Sequence, residues 1–138
     1  MKHVVVGNGV AGVTAAQGIV RSDPGAEVHV FGSEFHPYYR RPLLLQFIAG
    51  LIKRDALYFR PLTWYAERGI QLHLGVKVTG LDAAAHRLTL EARDRGAAPG
   101  RSVEYDRLLL ATGGRPFVPP CGGVEKEGVF TLRTLDDA

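Results

Sequence analysis

Apolar residues near the start of the chain form two short runs separated by an amphipathic stretch. Val4 to Val6 is a β-branched run that ends abruptly at Gly7, and a second run extends from Val28 to Phe31. Between them, apolar and small residues recur with a helical period, which predicts a helix from about Val10 to Arg21. The following Ser22–Gly25 segment, Ser-Asp-Pro-Gly, should end it. The pattern predicts a strand, a helix and a second strand.

The next segments predict shorter elements. Leu43 to Ile52 is strongly apolar, so we expect a buried helix, or one that packs against a part of the protein outside this chain. Thr63 should cap a short helix from Trp64 to Arg68, and Gly69 should end it. Gln71 to Leu74 is expected to be a third strand of a parallel sheet.

After the third strand, apolar residues alternate with polar ones, which is typical of strands with one buried face. Asp94 to Arg101 should be a solvated tip between two of these strands. Further on, Leu108 to Ala111 is expected to be a buried parallel strand, and Val129 to Leu132 a last short strand. The alternating apolar pairs that predict an antiparallel β-meander are Val76 and Val78, Leu88 and Leu90, and Val103 and Tyr105.

Composition narrows the class of protein. A length of 138 residues suits one domain, and 46% hydrophobic with 22% charged residues is ordinary for a globular fold. The net charge of +3 is mild and its basic residues are scattered, so nothing favours nucleic-acid binding. One cysteine permits no internal disulfide, and no apolar run is long enough to span a membrane. We therefore expect a cytoplasmic protein with no membrane partner.

The glycines after the first strand carry the first chemical signal. Gly7, Gly9 and Gly12 form G-x-G-x-x-G between a predicted strand and a predicted helix, the context of a dinucleotide fingerprint. Gly7 would permit a sharp turn, Gly9 a close approach of pyrophosphate, and Gly12 close packing of the helix. The helix would point its free N–H groups at the phosphates. Glu34, 22 positions after Gly12, is placed to accept hydrogen bonds from a ribose.

The loop from Phe35 to Pro42 is rich in Tyr and Arg and follows the second strand directly. Ligands in open α/β sheets bind beyond the carboxyl ends of strands, so this loop should lie over the site. Arg40 or Arg41 would then reach a phosphate or a ring. The alternative is a solvated loop whose tyrosines cover a sheet edge, and position alone does not decide between the two.

A second signal is Ala111-Thr112-Gly113 at the end of the late strand. With the fingerprint and the meander, it resembles the FAD-binding half of flavoproteins with two dinucleotide-binding domains, the pyridine nucleotide-disulfide oxidoreductase superfamily. The segment Pro37 to Leu43 is similar to the corresponding loop of rubredoxin and ferredoxin reductases and of the flavin part of NADH-dependent nitrite reductases. The resemblance implies an α/β fold: a Rossmann-like, three-layer FAD-binding fold with a parallel sheet and an antiparallel meander.

The resemblance also implies roles for individual residues. The glycine turn would hold the FAD pyrophosphate, Ser33 and Glu34 would lie at the adenosine ribose, and Arg40 would approach the flavin side. Val78 would meet the adenine through its backbone, and the Ala-Thr-Gly segment would close over the cofactor. The implied cofactor-binding residues are Gly7, Gly9, Val10, Ala11, Gly12, Ser33, Glu34, Arg40, Pro42, Val78, Ala111, Thr112 and Gly113.

The chain departs from the family pattern at several places. Gly32 stands where many flavoproteins have the ribose carboxylate, and Leu44 and Leu45 are apolar where relatives often carry a charge. Cys121 is alone, so the dithiol chemistry of some members is not supported. We identify no catalytic acid, base or nucleophile, and no histidine spacing that suits a metal.

Length is the largest departure. The family continues with an NAD(P)H-binding domain and a C-terminal interface domain, both absent from residues 1–138, so we expect a fragment rather than a natural short protein.

Three functions are compatible with these features. In the first, residues 1–138 are an incomplete FAD-binding domain of an enzyme that passes electrons from NAD(P)H through FAD to a rubredoxin-like, ferredoxin-like or nitrite-reducing acceptor. In the second, the chain is a non-catalytic, stand-alone nucleotide-binding module, as a monomer or homodimer. The third, an NAD-dependent dehydrogenase domain, is disfavoured because such domains normally continue with βαβ units after the third strand.

Overall fold

The computed structural model of the chain describes residues 1–92 and 100–138. Met1–Tyr39 and Arg60–Thr112 form one unit, and Arg40–Phe59 with Gly113–Ala138 form a second. Of the predicted solvated tip from Asp94 to Arg101, positions 94–99 lie outside the described residues. Its last residue, Arg101, begins a strand.

Among the described residues, helices occur between the first three strands, and the last five strands follow one another without a helix between them. The helices are α1 (Val10–Ser22), α2 (Leu44–Ile48) and α3 (Leu62–Ala66). The strands are β1 (Lys2–Val6), β2 (Glu27–Phe31), β3 (Ile70–His73), β4 (Val76–Asp82), β5 (Arg87–Ala92), β6 (Arg101–Glu104) and β7 (Arg107–Leu110).

The first unit contains a parallel sheet with the strand order β3-β2-β1-β7. Because successive side chains of a strand point to opposite faces, each strand contributes to two cores. Val5, Val28 and Val30 pack on one face with Val13 and Ala16 of α1. This confirms the predicted strand–helix–strand start of the chain.

The opposite face of the parallel sheet is covered by an antiparallel sheet with the order β4-β5-β6. Leu88 of β5 is fully buried in a cluster with Val4, Val6 and Phe31. The period-two alternation therefore predicted the meander correctly. Helices, parallel sheet and meander make three layers, which confirms the predicted α/β class.

The second unit contains α2 and three short 3₁₀ helices, Arg41–Leu43, Arg54–Leu57 and Leu135–Asp137. Its buried apolar side chains are Leu44, Leu57 and Leu135. The last 3₁₀ helix is capped by Asp137, whose carboxylate accepts hydrogen bonds from the backbone N–H groups of Arg133 and Thr134 at 2.9 and 2.7 Å. These bonds lower the pKa of the Asp137 carboxyl.

Two predictions about the late part of the chain need correction. The predicted parallel strand is confirmed, since β7 pairs parallel to β1, but its predicted burial is wrong. Leu109 and Leu110 are exposed, because β7 lies at the edge of the sheet and only Leu108 packs into the core beside the meander. Val129 to Leu132 does not form a strand; among the described residues it has no partner strand, and Phe130 is 86% exposed. Apolar and β-branched residues favour a strand only where a neighbour completes the pairing.

Two helix predictions also need correction. Only Leu44–Ile48 is α-helical within the Leu43–Ile52 segment. Leu45, Ile48 and Leu51 are exposed rather than buried, since one five-residue helix can bury only one face, and packing against a part outside this chain stays a prediction. The second short helix begins at Leu62, so its N-cap is Pro61 and Thr63 lies inside the helix. Pro61 has the extended backbone of an N-cap residue (φ −69°, ψ 166°), and its missing N–H removes no hydrogen bond of the helix at that position.

Buried polar contacts join β2 to β3 on the face that the meander covers. The Nδ1 of His29 lies 2.9 Å from the Nε2 of His73, and the Nε2 of His29 lies 2.7 Å from the Oε1 of Glu27. Since the Glu27 carboxylate accepts, His29 donates through Nε2, and its Nδ1 accepts the Nε2–H of His73. The bond with His29 lowers the pKa of Glu27. Both histidine rings are therefore held by hydrogen bonds within the parallel sheet.

We expect acid to weaken the fold through His73. Burial, followed by the charges of His29, Arg101 and Lys2, holds the pKa of His73 below its ordinary value of 6.5. Below pH 6.5 the unfolded chain binds a proton at His73 that the folded chain does not bind. The contribution of His73 to the free energy of unfolding is therefore fully present above pH 6.5, and it falls as the pH drops towards the folded pKa. The free energy of unfolding, measured by urea titration at a series of pH values, should show this fall.

The variant His73→Gln removes the titrating ring, and it should flatten this part of the pH profile. Gln71→Asn is the control on β3 itself: it changes an exposed side chain and no titrating group, so it should leave the slope as in the parent chain. An unchanged slope in His73→Gln would contradict the assignment.

Candidate nucleotide-binding site

The turn that follows β1 depends on Gly7. Its φ is +117°, which side chains rarely allow, and its N–H donates to the carbonyl of Phe31 at the end of β2 (2.8 Å). A Cβ at this position would lie 2.1 Å from the backbone oxygen of Ala111. Glycine is therefore required both by the conformation and by the close approach of the chain after β7.

The other two fingerprint glycines differ from each other in their surroundings. A Cβ on Gly12 would lie 1.9 Å from the carbonyl oxygen of Gly7 and 3.2 Å from the Cγ1 of Val5, so glycine lets α1 pack directly on the turn. A Cβ on Gly9 would meet no atom within 4 Å. The backbone at Gly9 thus faces open space, and packing does not explain why glycine stands there.

The N-terminus of α1 is built for a negative partner. Gly9 is the N-cap and offers no side-chain oxygen, and the first turn contains no acidic residue. Val10 is exposed, and Ala11 is exposed as well. The first N–H groups of a helix have no partner within it, and the helix dipole places positive charge there. The turn and the helix end form a cradle for an anion.

The predicted ribose residues follow β2. Ser33 is exposed and Glu34 is half-buried. The Glu34 carboxylate accepts a hydrogen bond from the hydroxyl of Tyr39 at 2.5 Å, and the Tyr39 ring is buried. The burial of Tyr39 agrees with the interpretation in which the tyrosines of this loop cover the sheet. Its hydroxyl also holds the Glu34 carboxylate, which the sequence predicted to bind the ribose.

Three further predicted residues lie in the same unit. Ala111 follows β7, where its N–H donates to the carbonyl of Val6 at 2.8 Å, and the exposed Thr112 comes next. Val78 is on β4 opposite Leu90, immediately before an irregularity in the pairing at Gly80. The structure thus brings Ala111 together with Gly7, and their roles in holding a cofactor stay predictions.

Arg40, Pro42 and Gly113 belong to the second unit. The guanidinium of Arg40 lies 3.9 Å from the ring centroid of Phe59, a cation–π contact. Pro42 lies in the first 3₁₀ helix and lines a recess of about 310 Å³ with Arg41 and Arg133. Gly113 has a φ of +72°, and a Cβ there would lie 2.9 Å from the Nη2 of Arg133.

The sequence analysis did not predict two polar residues, one in the glycine turn and one that contacts it. The side chain of Asn8 accepts a hydrogen bond from the hydroxyl of Tyr65 at 2.7 Å and donates to the carbonyl of His36 at 3.3 Å. Burial raises the pKa of Tyr65 to about 12, so the hydroxyl stays neutral and keeps its proton to donate. A signal for Asn8 was present in the fingerprint, where it occupies the position between two glycines, but nothing in the sequence pairs it with Tyr65.

Other kinds of site are not found in the described part of the chain. Within residues 1–92 and 100–138, no group of three His, Cys, Asp or Glu side chains is placed to hold a metal ion. No described helix has both the length and the apolar character needed to cross a bilayer. The thiol of Cys121 is free and exposed.

Comparison with known proteins identifies relatives over the whole chain. The profile of a family described as pyridine nucleotide-disulphide oxidoreductase matches residues 1–138. The chain is 37% identical over 139 residues to putidaredoxin reductase CamA of Pseudomonas putida, covering 98% of this chain and 31% of that protein. It is 32% identical over 135 residues to the assimilatory nitrate reductase electron transfer subunit of Bacillus subtilis (strain 168), covering 97% and 17%. The chain thus spans less than a third of these two relatives.

Solved structures show the same architecture. The covalent putidaredoxin reductase–putidaredoxin complex matches with a TM-score of 0.82 and 34% identity, over 99% of this chain and 32% of that one. Reduced Bacillus anthracis CoADR-RHD matches with a TM-score of 0.90 over 99% and 25%, and its 23% identity supports the fold alone. These matches confirm the resemblance that the fingerprint, the meander and the Ala-Thr-Gly segment indicated.

The variant Gly7→Ala should destabilise the fold by about 3 kcal/mol or more, because a methyl group meets backbone atoms and the left-handed φ is strained. Chemical denaturation measures the loss. Gly18→Ala is the control within α1, where a Cβ meets no atom within 4 Å, and it should stabilise by about 0.5–1 kcal/mol. Equal effects of the two substitutions would contradict the packing described at Gly7.

Proposed function

The chain belongs to the pyridine nucleotide-disulphide oxidoreductase family, and from this premise we propose that it is the FAD-binding part of an NAD(P)H-dependent flavoprotein oxidoreductase. The parent enzyme would pass electrons from NAD(P)H through FAD to a redox-protein acceptor of the rubredoxin, ferredoxin or nitrite-reductase type. The family is FAD-dependent with NAD(P)H as its substrate, and this supports the assignment of both nucleotides.

One observation carries the proposal for this chain. The uncapped N-terminus of α1 adjoins Gly9, where packing leaves open space although the neighbouring Gly7 and Gly12 are tightly enclosed. A pyrophosphate needs that combination of free N–H groups, a positive helix end and a backbone without a side chain. The residues present therefore fit the phosphates of a dinucleotide.

In this proposal the residues of the chain bind FAD and orient it. When bound, FAD would supply the chemistry of accepting a hydride and releasing electrons one at a time. The turn and the N-terminus of α1 would hold the pyrophosphate, and Glu34, oriented by Tyr39, would hold the ribose. Val78, Ala111 and Thr112 complete the predicted contacts of the first unit, and Arg40, Pro42 and Gly113 those of the second.

The relatives support a redox protein as acceptor. One of them is named a putidaredoxin reductase, and another is the electron transfer subunit of a nitrate reductase. By analogy, residues 1–138 are the FAD-binding domain, and the NAD(P)H-binding and interface domains belong to other parts of the parent protein. We further infer a cytoplasmic location, which suits the free thiol of Cys121. A homodimer is compatible with the proposal.

Titration with FAD, followed by flavin absorbance and fluorescence, tests the assignment, with NAD as the competing nucleotide. We expect saturable FAD binding and little NAD binding. Affinity for NAD equal to that for FAD would favour the stand-alone nucleotide-binding module instead. Absence of saturable binding to both would contradict the proposal for this chain.

The variant Gly9→Val should weaken FAD binding roughly tenfold or more, because its side chain occupies the space that the pyrophosphate needs. Its cost in stability should be no more than about 1 kcal/mol, since Gly9 is extended, with φ −91° and ψ −173°, and nothing lies near its Cβ. Gly122→Val is the control at an exposed glycine that is equally free of contacts. Equal FAD affinities of the two variants would contradict the placement of the phosphates at Gly9.

A further inference from the structure

A hydroxyl group behind the glycine turn joins three segments that are distant in sequence. The side chain of Tyr65, in α3, is 1% exposed. Its hydroxyl donates to the Oδ1 of Asn8 at 2.7 Å and accepts the backbone N–H of Tyr38 at 3.3 Å. The amide of Asn8 also donates to the carbonyl of His36 at 3.3 Å. The turn is thus tied to the buried tyrosine of α3 and to the loop after β2.

The side chain of Asn8 lies beside Gly32, the residue after β2. A Cβ built on Gly32 would lie 3.1 Å from the Cβ of Asn8. The same contact gives a physical reason for glycine at position 32, where many flavoproteins have an acidic residue: a larger side chain would displace Asn8. Its amide group is therefore held by packing on one side and by Tyr65 and His36 on the other.

We propose that Tyr65 is a positioning residue for phosphate binding: through Asn8 it holds the Gly7–Gly9 turn in the conformation that leaves the N-terminus of α1 open. The inference rests on the proposed function, since the turn is taken to bind a pyrophosphate. A Cβ at Gly9 would meet no described atom within 4 Å, so side-chain packing does not hold the turn on that side, and the contact of Asn8 with Tyr65 holds it on the other. A turn that is ordered before binding loses less entropy when the phosphates arrive.

The chemistry of the contact suits this role. The Tyr65 hydroxyl stays protonated over the working pH range, because burial keeps it neutral. Removal of this hydroxyl leaves the Oδ1 of Asn8 without its donor, while the ring still fills the core beside Val28, Val30 and Ile70. The variant Tyr65→Phe therefore separates positioning from packing.

The first test compares nucleotides with and without phosphate. Tyr65→Phe should weaken binding of FAD and ADP about three- to tenfold, the range expected for loss of one buried hydrogen bond. Adenosine lacks the pyrophosphate, so its affinity should change less than about twofold by the same reasoning. Calorimetric titration of the chain with ADP and with adenosine gives both values. Unchanged ADP affinity, or an equal loss for both ligands, would overturn the inference.

The second test needs no ligand, so it decides the inference even if the chain binds no nucleotide. Amide hydrogen exchange at Gly7, whose N–H donates to the carbonyl of Phe31 at 2.8 Å, should accelerate about three- to tenfold in Tyr65→Phe. Exchange in the core, at Val30 for example, reports global opening and is the internal reference. Faster exchange confined to the turn supports the positioning role. Unchanged exchange, or the same acceleration at Val30, would show that Tyr65 acts only as a core residue.

Two variants make the tests specific. Tyr105→Phe removes a hydroxyl from a ring that stacks on His86 at 5.3 Å, away from the turn, and should leave ADP affinity and exchange at Gly7 unchanged. Asn8→Ala breaks the same contact from the turn, without touching the core, and should repeat the loss if Tyr65→Phe does not fold. The double variant should bind ADP no more weakly than the single variant that binds it worse, because both changes break the same contact. Additive losses would overturn the inference.

Discussion

The close approach of backbone segments at Gly7 is the constraint on which the rest of the site depends. The carbonyl oxygen of Ala111 occupies the place of a side chain at Gly7, and the carbonyl of Gly7 occupies the place of one at Gly12. β1, β7 and α1 can meet at one point only because both positions lack a Cβ. This contact fixes where α1 begins, and therefore where its unpaired N–H groups point.

The turn lies at the end of a sheet that is covered on both faces, and it is open on the side of Gly9. One face of the parallel sheet is buried by α1 and α3, and the other by the meander through Leu88. The buried Tyr65 ties the turn to the helix layer through Asn8. At Gly9 alone among the three fingerprint glycines, nothing lies near the missing Cβ. The packing thus supports an anion site at the carboxyl end of β1, as expected for an open α/β sheet.

Local patterns were sufficient for the elements whose partners are close in sequence. The fingerprint predicted the turn and α1, and the period-two alternation predicted the meander, because burial of one face requires that spacing. Exposure of Leu109 and Leu110 could not be predicted, since it depends on which strand lies at the edge. The same holds for polar contacts across long separations: Asn8 and Tyr65 are 57 residues apart, and His29 and His73 are 44 apart. Val129 to Leu132 has strand-like composition, but no strand of residues 1–92 or 100–138 pairs with it, and composition cannot reveal that.

The central claim is that the N-terminus of α1 and the turn before it bind a pyrophosphate. Assigned amide resonances of the chain, followed during addition of ADP, test it residue by residue. The account predicts the largest saturable shifts at the backbone N–H groups of Gly9, Val10 and Ala11, with smaller shifts at Ser33 and Glu34. Shifts confined to the meander or to the second unit, with none at the turn, would contradict it.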